Sequence, residues 1–139
     1  MVEVGTPFTC SGNRGLAEPS IAKLGDTYYM TIRSDEKAWL AWSDDGLNYT
    51  NPVTFTWADG SAIGSKNVQQ RWVRLQDSLY LVYTRTGANN DHVFRNRAPL
   101  FMAKFDENKK CLLKETEIIL VPERGASLAN LVTQRLRLR

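Results

Sequence analysis

At 139 residues, with 42% hydrophobic and 24% charged residues, the chain has the size and balance of one globular domain able to bury a core. No apolar run approaches the roughly 20 residues of a membrane helix, and MVEVGTPFTCSGNRG lacks the basic-then-apolar order of a secretory signal; no membrane partner and, by default, a cytoplasmic location are expected. The net charge of +3 comes from the terminal RLRLR, since without Arg135, Arg137 and Arg139 the chain carries 15 basic and 15 acidic residues. No aromatic residue interleaves with those arginines to form a stacking platform, so a solvated tail is expected and no nucleic-acid partner.

Helix signals are nearly absent, and strand signals recur at short intervals. PSIAKL (19–24) runs into the turn Gly25-Asp26 and then TYYMTIR (27–33), rich in aromatic and β-branched residues. After SDEK come AWLAWS (38–43), the turn DDGLN and VTFTW (53–57). A second set follows: VQQRWVRL (68–75), the turn Gln76-Asp77-Ser78, LYLVYT (79–84), PLFMAKF (99–105), the turn DENKK and LLKETEIILV (112–121). Placing Leu24-Gly25-Asp26 over Leu75-Gln76-Asp77 gives an offset of 51 residues. Two four-stranded units at this period predict an all-β fold, a partial β-propeller of two antiparallel blades. The expected boundaries are about 17–57 for the first blade and 66–122 for the second, with 123–139 as the start of a third unit or a basic tail. An antiparallel β-sandwich is the alternative.

The two cysteines, Cys10 and Cys111, read as separate thiols, with a single disulfide as the alternative; no spacing resembles a zinc site, and neither metal nor cofactor is expected. Trp39, Trp42, Trp57 and Trp72 read as core packing between blades.

The turn SDDGLNYT (43–50) resembles the Asp-box hairpin of the sialidases, with Tyr49 as the aromatic that packs beneath the turn. AEPSIAKLGDTYYMTIRS (17–34) resembles the opening blade of arabinanase- and xylosidase-type propeller glycoside hydrolases. In those enzymes the carboxylate before Pro is the general base, and here that position is Glu18. Beyond residue 60 the chain resembles the bacterial sialidase-like, or BNR-repeat, propellers, in DGSAIGSKNVQQRWV, LVYTRTGANNDHVFRNRAPLF and LVPERGA. The resemblance implies a carbohydrate partner, with an acidic sugar as one candidate, and glycosidase ancestry. Closed propellers need at least four blades, so the chain is expected to be a piece of a larger ring, with an incomplete active site and open sheet edges prone to self-association.

RTGANNDHVFRNR (85–97) interrupts two good strands where the first unit uses only SDEK. Long polar loops on a rigid hairpin are where binding residues tend to sit, and sugars need donors and acceptors together. Glycoside hydrolysis ordinarily takes two carboxyl groups. The expected pair is Glu18 and Asp91, with Glu123 in reserve. Arg33, Arg71, Arg85, Asn90, His92, Arg95 and Arg97 are the expected substrate-binding set, the arginines because guanidinium forks onto carboxylates. Each has a plain structural alternative: Glu18 as a turn cap or ion-pair partner, Asp91 as a turn former, His92 as a hydrogen-bonded loop residue.

Overall fold

The computed structural model describes residues 2–9 and 15–125. It is all-β, with two four-stranded antiparallel sheets arranged as adjacent partial-propeller blades. The first contains β1 (Ala17–Leu24), β2 (Thr27–Arg33), β3 (Ala38–Ser43) and β4 (Val53–Thr54). The second contains β5 (Arg71–Leu75), β6 (Ser78–Tyr83), β7 (Leu100–Asp106) and β8 (Cys111–Val121). Strands pair in chain order in both sheets.

The offset of 51 holds in the backbone. It relates the ends of β1 and β5 and the starts of β2 and β6. The turn between each pair needs a residue in the left-handed region: Gly25 takes φ 57° in the first and Gln76 φ 53° in the second. By the start of the third strands the offset has grown from 51 to 62, so the polar loop is an 11-residue enlargement of a short hairpin. Its one helical feature is a single 3₁₀ turn, Phe94–Asn96.

The sheets meet through their innermost strands. The Trp72 backbone N–H donates to the Ser20 hydroxyl at 3.2 Å, which ties β5 to β1. Between the sheets lies an aromatic core. Phe105 packs edge-on against Tyr29 (4.9 Å), Trp72 (5.1 Å) and Phe55 (6.0 Å), and Trp57 against Tyr83 (6.2 Å). Alternation along the strands explains it: Leu79, Leu81 and Tyr83 on β6 all point into this core. A buried polar chain crosses it, with the Thr31 hydroxyl donating to Gln70 Oε1 and Gln70 Nε2 donating to Ser65 Oγ at 3.0 Å. All three residues are at most 1% exposed.

Several details depart from the sequence expectation. The fourth strand of the first unit stops at Thr54, because Thr56 pairs with Ala62 and Trp57 turns away to bridge Leu112 of β8 in parallel. β5 begins at Arg71, and of the three residues before it Gln70 sits in the buried polar chain through its side chain. Trp57 and Trp72 are core residues, but Trp39 and Trp42 are only half-buried, each with a lysine ammonium over its ring. The Asp45 turn closes as expected from its chemistry: Ser43 Oγ accepts from Gly46 N at 2.9 Å, and Asp45 Oδ1 accepts from Leu47 N and Asn48 N. The ring nearest Gly46 is that of Tyr28, and Tyr49 packs edge-on against Phe8. Cys111 is a buried free thiol; Cys10 and residues 126–139 lie outside the described residues.

Candidate functional site

Antiparallel pairing brings the starts of β1 and β5, the ends of β2 and β6 and the long loop to one end of the two sheets. Glu18 lies there on a β-bulge. Ala17 opposes Arg33 and Ser20 opposes Thr31, so β1 spends one residue more than β2. Proline after Glu18 removes a ladder donor and disfavours helical backbone before it. Glu18 takes φ 49°, a conformation that costs a non-glycine residue on the order of 1 kcal/mol or more. The bulge re-aims its side chain across the end of β2, where the Arg33 Nε–H donates to the carboxylate.

Two more side chains reach Glu18 from the neighbouring blade. Gln69 hydrogen-bonds the same carboxylate, and the Arg71 charge lies close enough to act on it. Arg71 itself donates to the Pro19 carbonyl at 3.5 Å and to Gln69 Oε1 at 3.4 Å. The Arg33 hydrogen bond, the largest influence, together with both arginine charges and Gln69, outweighs the opposing effect of burial and holds the Glu18 carboxyl below its ordinary 4.5. The arrangement is an acceptor ionised at neutral pH, flanked by two guanidinium groups and an amide. It suits hydroxyl and carboxylate ligands, and it suits a base better than a proton donor.

The other expected site residues divide. Arg85 turns away from this cluster: its Nε and Nη2 fork onto Glu117 of β8 at 2.8 and 2.7 Å, while the Tyr83 hydroxyl donates to the same carboxylate at 2.6 Å. Its guanidinium is committed to the fold. Asn90 is 1% exposed and faces the loop interior, where its Nδ2 donates to the carbonyls of Arg85 and Ala98 at 2.9 and 2.7 Å. Both amide hydrogens are used, so Asn90 shapes the loop and offers a ligand nothing. Asp91 is exposed and receives a 3.4 Å hydrogen bond from Asn96; no contact joins it to Glu18. His92 is exposed, with Nε2 3.7 Å from Glu123. Arg95 and Arg97 are both set against the ring of Phe94.

The sequence pointed to Glu18, Arg33 and Arg71, and these converge. Gln69 was missed, although a side chain two positions before a strand-opening arginine is a readable neighbour. Phe94 was missed because exposure has no signature in composition. Among the described residues no group of three His, Cys, Asp or Glu is placed to hold a metal. A shallow 260 Å³ concavity opens at the opposite end of the sheets, bounded by Leu24, Asp77, Lys104 and Asp106. It contains none of these groups, and the chemistry argues for the Glu18 end. Comparisons with family models, with curated proteins and with solved structures found no match to this chain.

Proposed function

We propose that the Glu18 end of the two blades is a carbohydrate-binding surface, derived from a sialidase-like propeller glycoside hydrolase. The observation that carries the reading is the convergence of Glu18, Arg33, Gln69 and Arg71 across the seam between the innermost strands. A sugar hydroxyl both donates and accepts, and this cluster supplies an ionised acceptor beside cationic donors. The bulge and the unusual backbone at Glu18 support it, because such features gather where a side chain must be aimed.

Hydrolysis is the second reading. Its support is the depressed pKa of Glu18, which suits the base of an acid–base pair. Against it stands the second carboxylate, since Asp91 makes its contact within its own loop. Binding without turnover is therefore the reading preferred for the 139-residue chain.

The test is a titration of the full chain with neutral and carboxylated oligosaccharides, followed by calorimetry or ligand-detected NMR, alongside an aryl-glycoside turnover assay. Binding that Glu18→Gln and Arg33→Ala both weaken, without turnover, is the expected result. Turnover of an aryl sialoside or arabinoside abolished by Glu18→Gln would move the conclusion to hydrolysis, and absence of binding to every sugar would remove it.

A further inference from the structure

The most exposed aromatic ring among the described residues belongs to Phe94, 65% exposed at the tip of the 85–97 loop. Leaving a phenyl ring in water forgoes the burial that core rings gain, and the loop is not loose enough for this to be incidental. Its base is clasped by Asn90, and Asn96 Nδ2 donates to the Asn90 carbonyl at 3.1 Å. Arg95 and Asn96 hold left-handed backbone at φ 55° and 52°, which turns the chain sharply just after Phe94.

Two guanidinium groups accompany the ring. Arg95 Cζ lies 5.0 Å and Arg97 Cζ 6.0 Å from its centroid. Neither arginine has a carboxylate in ion-pair range among the described residues, and Arg97 Nε is buried without an acceptor there. An exposed aromatic ring and two cations without a carboxylate partner among the described residues stand side by side.

We propose that Phe94, Arg95 and Arg97 form a subsite for a carboxylated sugar unit, whose C–H face stacks on Phe94 while its carboxylate is taken by the guanidinium groups. The proposal rests on the carbohydrate reading of the Glu18 end, from which this loop also rises. A single-stranded nucleic acid could use the same chemistry, but such ligands are held by successive aromatic platforms along a basic groove. Here one ring stands alone on a body with balanced charge.

The test uses the full chain, with digalacturonate as the acidic probe, galactobiose as the neutral one and a single-stranded oligonucleotide as the competitor class. Phe94 is exposed, so Phe94→Ala should leave the circular dichroism spectrum unchanged. We expect it to weaken digalacturonate binding about five- to tenfold, with Phe94→Trp restoring it. Arg95→Ala combined with Arg97→Ala should erase the preference for digalacturonate over galactobiose. Wild-type affinity in Phe94→Ala overturns the subsite, as does equal binding of the two sugars by the unaltered chain or tighter binding of the oligonucleotide. If Glu18→Gln weakens binding and Phe94→Ala does not, the subsite fails and the wider carbohydrate reading stands. If Phe94→Ala weakens it and Glu18→Gln does not, the subsite stands and the role given to Glu18 fails.

Discussion

Arg85 and Glu117, 32 residues apart in sequence, meet as a two-point fork that joins the root of the long loop to the outermost strand of the second sheet. The Tyr83 hydroxyl, also on Glu117, completes a small half-buried cluster, and the Arg85 guanidinium lies 4.7 Å from the Phe101 ring. Removing one member strands the other in a poorly hydrated place. Glu117→Gln or Arg85→Ala is expected to cost roughly 2–4 kcal/mol in urea unfolding, while Tyr83→Phe costs about 1 kcal/mol. Equal small effects from all three would show that the cluster is solvated.

The same cluster sets an acid limit on stability. Burial alone would raise the Glu117 carboxyl, but the hydrogen bonds from Arg85 and Tyr83 prevail and hold it below its ordinary value. A group depressed in the folded state contributes stability that is complete above its unfolded pKa and is lost as pH falls through the folded one. The chain should therefore lose stability on acidification below the ordinary Glu range, and Glu117→Gln should flatten that part of the curve. An unchanged acid limb in the variant would assign the loss to other carboxylates.

Glu18 is governed by the same sign but bears on binding. Its carboxyl is kept below 4.5, chiefly by the hydrogen bond from Arg33, so sugar affinity should hold at neutral pH and the midpoint of its loss on acidification should lie below that value. Glu18→Gln should lower affinity across the whole plateau. A plateau that ends near neutrality would show that Glu18 is not the controlling group.

Phe105 touches Tyr29, Trp72 and Phe55, one on each side of the seam and one on the segment between. Phe105→Ala is expected to cost about 3–5 kcal/mol. That is a large fraction of the stability of a small domain. Tryptophan fluorescence and far-ultraviolet circular dichroism should still report one coincident transition; separate transitions would mean that the blades unfold independently.

Asn90→Ala removes two buried hydrogen bonds that close the loop on the Arg85 and Ala98 carbonyls. A cost of about 2 kcal/mol is expected. Limited proteolysis should cut the variant between residues 85 and 97 much faster than the parent, with little change elsewhere.

What could be read directly from the sequence was local. The turns at Gly25 and Gln76 carry their chemistry within three residues, and alternation in SLYLVY marks a strand wherever it occurs. The bulge at Glu18 was half legible, as a carboxylate before proline at a strand start. Pairings over distance were not. Nothing in QQRW states that Gln70 will meet Thr31, 39 residues earlier, and Arg85 offers the same guanidinium to a sugar or to Glu117. A side chain's composition states what it can bond; only the fold decides which partner arrives first. Asn90 illustrates this, since asparagine serves equally as a ligand contact and as an internal loop clasp.

The bridge between Trp57 and Leu112 has a consequence in time. Leu112 donates its N–H to the Thr56 carbonyl at 3.0 Å, and Ala58 donates to the Leu112 carbonyl at 3.1 Å. The stretch that closes the first blade is thus held by residues made more than fifty positions later. While the chain is being synthesised, the first sheet can pair its strands but must wait with its Trp57 margin unanchored until β8 has emerged from the ribosome. Nascent chains halted before Leu112 should accordingly hold that margin open to protease, and those halted well beyond it should not.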